Sequence, residues 1–236
     1  MKLAQILFSQ GFGTRRACEG LVLGGYVRID GAVQPDPDLD LPTAGLVLNV
    51  EGRDWPFHAP ALIVLNKPAG FECSKKPRHH PSVYSLLPAP LLRRDVQAVG
   101  RLDEDTTGLL LFTDDGQLLH RWTSPKHHLP KLYDVSCKHP LDEEQLSRLR
   151  AGVVLNDDPA PVSALAAELW DGAAPGLHGL RLTLAEGKYH QVKRMLAAVG
   201  NRVEALHRSR FGQFDLPTDL APGAWRWLES TALVTG

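Results

Sequence analysis

The chain has 236 residues, of which 43% are hydrophobic, and a formal net charge of −1. This length suits one large domain, or a small and a medium one, and the apolar content suffices for a core. The apolar runs have the length of strands, which excludes a membrane-spanning helix, and the N-terminus lacks a signal peptide's apolar region. Three distant cysteines argue against a disulfide framework or zinc knuckle and favour a reducing cytoplasm. A net charge near zero creates no global basic field, so any binding of nucleic acid must come from local patches.

Residues 1–57 form the first compositional unit. Leu3, Ile6, Leu7 and Phe8 give the apolar stripe of a first helix. Thr14 is a suitable N-cap for a second helix, whose first turn then carries Arg15 and Arg16. Cations at a helix N-terminus oppose the helix dipole, whereas a bound phosphate would favour them there. The alternative is a small α+β module on which the two arginines are merely solvated.

A strand and a tight turn follow this helix pair. Gly24-Gly25 ends the second helix, residues 26–29 have strand composition, and Asp30-Gly31 predicts a hairpin turn. This order resembles the S4-type RNA-binding domain, and the resemblance implies such a domain over residues 1–57. Residues 1–57 contain five basic and seven acidic residues. We therefore expect the acidic run 36–40 to lie away from RNA. Residues 54–60, with two prolines, are predicted as a linker that Trp55 and Phe57 dock.

The second unit begins with a buried strand pattern at residues 61–65. The turn Asn66-Lys67-Pro68-Ala69-Gly70 breaks it, and Lys67 alone is as compatible with a surface turn as with a site. The basic loop 75–81 is typical of phosphate contact. Its pair His79-His80, like His127-His128, has no cysteine or carboxylate partners at ligand spacing, so we expect no metal site.

Residues 100–116 place a polar loop between two apolar runs, 96–99 and 109–113, which are predicted to be buried strands. Gly100 and Gly108 bracket the loop, where backbone freedom or close approach is useful. The loop presents Arg101, Asp103, Glu104 and Asp105 from a rigid base, as catalytic side chains usually are presented. Taken alone, these charges are equally typical of a solvated hairpin end.

Gly100-Arg101-Leu102-Asp103, followed by Thr106-Thr107-Gly108-Leu109, strongly resembles the active-site loop of pseudouridine synthases. More narrowly, it is similar to the small-subunit ribosomal RNA branch, the RsuA-type family. The resemblance implies that Asp103 is the catalytic residue and that Glu104 and Asp105 are solvated. The Asn-Lys-Pro-x-Gly turn also occurs in the wider family beside the active site, which makes Lys67 a candidate there.

Two later motifs extend the resemblance. Lys131-Leu132-Tyr133 lies on an alternating strand and matches the second family motif, whose tyrosine packs against the target base. Without the resemblance, Tyr133 is equally well interpreted as a half-buried tyrosine of a strand. The string from Glu186 to Met195 matches the third motif and enters a helix. There a basic residue pairs with the catalytic Asp, which points to Lys193 first and Arg194 second. Residues 181–210 hold seven basic residues against two acidic ones, which forms the local basic patch.

The remaining elements are assigned from local signals. Residues 117–122 are predicted as a short helix, and Asp142 with Gln145 predicts a capped helix that ends at Gly152. Residues 157–161 and 171–179 are predicted as loops, 180–184 and 203–207 as strands, and 222–228 as a last strand. The segment 207–212 is a second candidate for phosphate contact.

The resemblance covers nearly the whole chain and implies an α+β protein. We expect a pseudouridine synthase fold over residues 58–236, with a mixed, mainly antiparallel sheet and flanking helices, preceded by the S4-type domain. The catalytic candidates are Asp103, Tyr133, Lys193 and Arg194. The substrate-binding candidates are Lys67, Arg101, Lys188, His190, Gln191, Arg15, Arg16 and Arg208.

The implied reaction isomerises uridine to pseudouridine in 16S ribosomal RNA and needs no metal and no organic cofactor. Ribosomal RNA, free or in an assembling particle, is the expected partner of a cytoplasmic monomer that contacts no membrane. The segments 123–128 and 190–195 favour the small-subunit ribosomal RNA as the target. The alternatives are a 23S ribosomal or transfer RNA target, and a non-catalytic RNA-binding assembly factor. A glycosidase is disfavoured because adjacent carboxylates rarely supply two opposed catalytic groups.

Overall fold

The computed structural model describes residues 1–124, 129–156 and 158–235. The chain divides into two compact units, of which the first comprises Met1–Ala61, Leu87–Gln97 and Thr113–Asp115 and the second the remainder. The predicted boundary after residue 57, and the S4-type nature of residues 1–57, stay predictions. In the part of the chain that the structure describes, no helix combines the length and the apolar character needed to span a membrane.

The first unit packs two helices and a four-stranded sheet around its own core. The helices are α1 (Leu3–Ser9) and α2 (Arg15–Leu23), and the strands are β1 (Val27–Ile29), β2 (Ala32–Val33), β3 (Val47–Val50) and β4 (Arg53–Pro56). The sheet order is β2-β1-β3-β4. Leu3, Ile6 and Leu7 are fully buried, as their spacing predicts. The Thr14 hydroxyl accepts a hydrogen bond from the Ala17 amide, which confirms the predicted N-cap of α2.

The prediction of a linker at residues 54–60 is wrong for residues 54–56, which belong to β4. Strand β4 pairs antiparallel with β3, and Trp55 is buried with its ring edge-on to Phe12 at 5.4 Å. A proline suggests a break, but Pro56 ends an edge strand, where a missing amide donor is tolerated. The predicted docking by Trp55 and Phe57 is confirmed, since Phe57 packs on the same core.

The second unit is organised on a nine-stranded mixed sheet. The main path is β11-β12-β8-β13-β7-β5-β15, and β14 and β6 pair with β13 and β7. The strands are β5 (Leu62–Lys67), β6 (Gln97–Ala98), β7 (Thr107–Thr113), β8 (Lys131–Cys137), β11 (Ala166–Trp170), β12 (His178–Leu184), β13 (Val203–Phe211), β14 (Phe214–Asp215) and β15 (Trp225–Trp227). Strand β13 is antiparallel to β8 but parallel to β7. The predicted α+β class and the mixed, mainly antiparallel sheet are therefore confirmed.

The helices are short and amphipathic. They are α3 (Ala89–Arg93), α4 (Gly116–Thr123), α5 (Glu143–Ala151), α6 (Gln191–Ala198) and α7 (Ala232–Thr235), together with a 3-10 turn at Val83–Leu86. The capping box predicted for Asp142 and Gln145 is present on α5. Strand β10 (Asp158–Val162) pairs with β9 (Val153–Leu155), so residues 158–161 of the loop predicted at residues 157–161 form a strand, and residue 157 lies outside the described residues. Two prolines in β10 hid this strand from the sequence pattern.

Candidate active site

The polar loop that contains Asp103 lies between β6 and β7, as predicted. The side chain of Lys67 supports the loop by hydrogen bonds to its backbone. The Lys67 side chain is fully buried at the end of β5. Its ammonium donates to the carbonyl oxygens of Asp103 at 3.0 Å, Glu104 at 3.2 Å and Thr106 at 2.8 Å. Burial lowers the pKa of Lys67, and the nearby acidic groups offset this only in part. The buried ammonium therefore fixes the course of the loop backbone.

Helix α6 brings a cation to this loop from 90 residues further along the chain. The Lys193 ammonium lies 3.6 Å from one Asp103 carboxylate oxygen and 2.8 Å from both carboxylate oxygens of Asp105. His190, which immediately precedes α6, places Nε2 3.5 Å from the other Asp103 oxygen. Asp103 therefore has two potential cations within ion-pair distance and remains 26% exposed.

The tight pair in this group is Lys193 with Asp105. Burial raises the pKa of Asp105, but the hydrogen bond and charge of Lys193 outweigh it and hold that pKa below its ordinary value. Burial likewise lowers the pKa of Lys193, and Asp105, Asp103 and Glu104 together raise it above the ordinary lysine value. The raised pKa of Lys193 favours its charged form, so the site keeps a cation beside Asp103 at neutral pH.

A small cavity of about 70 Å³ joins Asp103 to Tyr133. Lys193, His190, Gln191 and other residues of the third motif line the same cavity. Tyr133 lies on β8 and is only 8% exposed, so its ring forms part of the cavity wall. The structure therefore brings together three of the four predicted catalytic residues, Asp103, Tyr133 and Lys193, one from each motif.

A larger cavity of about 640 Å³ opens on the outer side of Asp103, a size that suits a ligand of nucleotide dimensions. Its walls come from residues 72–74 and 78–80, from residues 100–104 and from residues 187–190. Cys73 lies between the walls, where the Leu102 amide donates to its sulfur at 3.4 Å and burial raises its pKa. The predicted basic loop 75–81 is thus part of the rim of the cavity that contains Asp103.

A single carboxylate shapes this basic loop. Glu72 accepts backbone hydrogen bonds from the amides of Arg78 at 3.1 Å, His79 at 2.7 Å and His80 at 2.9 Å. These three donors lower the pKa of Glu72 to about 2. The carboxylate thereby fixes the backbone of residues 78–80, whose side chains line the larger cavity.

Two predicted substrate contacts are buried instead. Arg208 is only 2% exposed, its Nε donates to the Leu109 carbonyl at 2.8 Å, and its guanidinium lies over the Phe211 ring. Lys67 is fully buried under the loop. The prediction that these two side chains contact RNA directly is therefore corrected, because strand position alone does not reveal which cations face inward.

The other predicted residues of the third motif differ in their positions. Gln191 is buried, and its side-chain oxygen accepts from the Lys188 amide at 2.8 Å. Arg194 donates to the Tyr189 carbonyl at 3.0 Å and lines a separate cavity with Val154 and Ala197. Lys188 and Arg101 line both cavities beside Asp103. Of the two basic candidates, Lys193 is thus the one with a measured ion-pair distance to Asp103.

Some predicted features belong elsewhere. Arg15 and Arg16 are exposed on the first turn of α2 in the first unit. Within the residues that the structure describes, no group of three or more His, Cys, Asp and Glu side chains is arranged to hold a metal. His127 and His128, with Pro125 and Lys126 of the segment that favours the small subunit, lie outside the described residues.

Two site residues were missed by the sequence analysis. Asp105 was assigned to solvated loop, and Glu72 received no role. The signal for Asp105 was its position two residues after Asp103, but sequence alone does not tell which carboxylate a distant lysine meets. Glu72 is followed within eight residues by a basic loop of low local structure, which is a signal for an organising acceptor.

Comparisons with known proteins agree with this geometry. The model of the RNA pseudouridylate synthase family matches residues 61–198. The chain is 38% identical to the ribosomal small subunit pseudouridine synthase A of Yersinia pestis, over 100% of this chain and 97% of that protein. It is 39% identical to the protein of the same name from Escherichia coli K12, over 92% of each chain. A solved pseudouridylate synthase is similar in structure, with a TM-score of 0.66, 32% identity and 99% and 98% coverage of the two chains. With the family model over more than half its length and relatives over nearly all of it, the chain belongs to the RNA pseudouridylate synthase family and is a pseudouridine synthase, an isomerase of RNA uridine.

Proposed function

We propose that this enzyme converts specific uridines of small-subunit (16S) ribosomal RNA to pseudouridine, with Asp103 as the reacting carboxylate. The names of the full-length relatives support the small-subunit target. The observation that carries the role of Asp103 is its position between Lys193, at 3.6 Å, and the cavity that it shares with Tyr133. We further propose that the enzyme acts as a monomer in the cytoplasm.

The reaction breaks the bond between ribose C1′ and uracil N1 and joins C1′ to uracil C5. The C5 proton is lost and N1 gains one, so no redox change occurs. An ionised carboxylate can act as nucleophile at C1′ or as the base that assists departure of the uracil. The Lys193 ammonium lies 3.6 Å and His190 Nε2 lies 3.5 Å from the Asp103 carboxylate, so both can hold it in place beside the substrate. Tyr133 supports the target base after it has left its stack.

The roles of the surrounding residues follow from exposure. Arg101 is exposed and lines both cavities, so we assign it to the phosphate or the displaced base. Lys188 lies on the opposite wall of the same cavities. Lys67 supports the loop through its backbone and does not contact substrate. Arg15 and Arg16 are assigned to phosphates elsewhere on the RNA.

The first test replaces Asp103 with Asn. We expect Asp103→Asn to bind a small-subunit ribosomal RNA transcript with unchanged affinity and to form no pseudouridine, because the amide shares the shape of the carboxylate but lacks its charge. Pseudouridine mapping of the transcript, and of particles from cells lacking the enzyme, measures the product. Glu104→Gln, which neutralises the adjacent carboxylate, is the matched control and should turn over normally.

The outcomes separate two parts of the proposal. Normal turnover by Asp103→Asn would remove Asp103 from the reaction. Conversion of uridines only in large-subunit or transfer RNA by the wild-type enzyme would refute the small-subunit target and leave the isomerase activity intact.

A further inference from the structure

Tyr189 is an exposed aromatic side chain at the rim of the larger cavity. Its side chain is 70% exposed, whereas Tyr133, on the inner side of Asp103, is 8% exposed. Exposure of a single aromatic ring is common on protein surfaces and by itself indicates no site. The orientation of the ring and its surroundings carry the inference.

The Tyr189 ring is held flat against the imidazole of the next residue. The centroids of Tyr189 and His190 are 3.8 Å apart and the ring planes are 20° from parallel. His190 adopts a left-handed backbone conformation, with φ 48° and ψ 32°, immediately before α6. A non-glycine residue in that region is strained and persists only where its surroundings impose it.

The backbone on both sides of this turn is tied down. Arg194 donates to the Tyr189 carbonyl at 3.0 Å, and the Lys188 amide donates to the Gln191 side chain at 2.8 Å. Both hydrogen bonds connect the turn to residues of α6, so they fix the turn relative to that helix. The ring pair is therefore fixed in orientation before any ligand arrives, which lowers the entropic cost of stacking on it.

Three basic side chains, Arg78, Arg101 and Lys188, line the cavity around the ring pair, together with His79 and His80. The carboxylates of the same lining are Glu72, which accepts from the backbone amides of residues 78–80, Asp103, which is the proposed reacting group, and Glu104. Basic side chains beside an exposed, oriented aromatic ring are a combination by which proteins hold single-stranded RNA, with phosphates on the cations and bases on the ring.

We propose that Tyr189 is the stacking platform for an RNA base next to the target uridine. This rests on the proposed function, because it takes the uridine that reacts at Asp103 as the reference point. The target base occupies the inner cavity beside Tyr133, and the neighbouring base lies on the outer face of Tyr189. His190 backs the ring while its Nε2 stays 3.5 Å from Asp103, so one turn of chain links the platform to the reacting group.

Affinity measurements on two ten-nucleotide single-stranded RNAs test the platform. One RNA alternates uridine and adenosine, and the other is the same sugar–phosphate chain with an abasic site at every position. Stacking is worth roughly 1–3 kcal/mol per base, so Tyr189→Ala should weaken binding of the first RNA by about tenfold. Tyr189→Phe keeps the ring and should stay within about twofold, whereas Tyr189→Leu should resemble Tyr189→Ala.

The abasic RNA distinguishes stacking from other causes. If the ring holds a base, the wild type and Tyr189→Ala should bind the abasic RNA with equal affinity, and the salt dependence of binding should not change. Tyr26→Ala, which removes a 57% exposed tyrosine from the first unit, is the matched control and should not change this base dependence.

Three results would refute the stacking role of Tyr189. The first is that Tyr189→Ala binds the base-containing RNA as tightly as the wild type does, and the second is that it weakens binding of both RNAs equally. The third is that Tyr189→Leu binds the base-containing RNA with wild-type affinity. Failure of the wild type to modify small-subunit ribosomal RNA refutes the proposed function separately, because the binding comparison does not depend on turnover.

Discussion

At the scale of single residues, the site is built on a shared cation. Lys193 lies between two carboxylates and is bound closely by Asp105 and more loosely by Asp103, at 2.8 Å and 3.6 Å. The closer carboxylate holds the ammonium, and the more distant one remains available to a substrate. A bidentate arginine at this position would bind the reacting carboxylate more tightly. A lysine that is shared with Asp105 leaves Asp103 available.

The shared cation predicts a change in the alkaline limb of the pH–rate profile. Asp105→Asn removes the hydrogen bond and the charge that raise the pKa of Lys193, while the burial that lowers it remains. The pKa of Lys193 therefore falls, and the alkaline limb of the kcat profile should move to lower pH. Turnover near neutral pH should fall by about tenfold because the ammonium is no longer held in place.

Lys193→Met should have a larger effect on turnover, about 100-fold, because loss of one preorganised charge at a reacting group costs about that much. Single-turnover rates from pH 5 to 11, taken at reaction times short enough to spare the RNA, measure both variants. An Asp105→Asn enzyme with an unchanged alkaline limb would contradict the shared cation.

At the scale of elements, the close contact of β7 and β13 depends on one glycine. Gly108 has φ 104°, and a Cβ atom there would lie 2.4 Å from the Arg208 carbonyl oxygen. Both facts exclude any side chain, because the contact is backbone to backbone and the dihedral is in the region that favours glycine.

Gly108→Ala should therefore destabilise the protein by about 3 kcal/mol or more, which lowers the melting temperature by roughly 6–12 °C in a chain of this size. Gly116→Ala is the matched control, since a Cβ there meets no atom within 4 Å. Thermal unfolding followed by circular dichroism measures both. A Gly108→Ala melting temperature within 2 °C of wild type would show that the two strands separate without cost.

The elements also show how far the sequence could predict the structure. Patterns with a local cause were predictable, such as the Thr14 cap, the Asp142 capping box and the need for Gly108. Features set by distant chain segments were not. Whether Lys67 and Arg208 face inward depends on strands and loops 36 to 99 residues away that supply their carbonyl partners. The sequence therefore identified the motifs, and packing decided which of their cations became structural.

At the scale of the whole molecule, charge is organised locally. The net charge of −1 hides local basic groups, among them Arg78, Arg101 and Lys188 at the larger cavity and the exposed Arg15 and Arg16 on α2. Screened electrostatics act over about 10 Å at 0.1 M salt, so RNA responds to these clusters and not to the total charge.

The double substitution of Arg15 and Arg16 by Ala should weaken RNA binding and reduce the slope of log Kd against log salt by about 1.4, since each phosphate contact on single strands contributes about 0.7. The value of kcat at saturating RNA should not change. Arg53→Ala, an exposed arginine in the same unit, is the control. Filter binding between 50 and 300 mM salt measures the slope, and a slope equal to that of wild type would exclude phosphate contact by α2.

The parallel pairing of β7 with β13 makes turnover a test of correct folding. The loop with Asp103 leads into β7, the helix with Lys193 precedes β13, and the register joins Thr107 to His207 and Gly108 to Arg208. A slip of one residue would shift one strand by about 3.3 Å and turn its side chains to the opposite face. The separation of Asp103 and Lys193 would then exceed the reach of an ion pair. A misregistered molecule would bind RNA through its exposed cations yet leave every uridine unchanged, so the enzyme modifies RNA only when its central strands are correctly aligned.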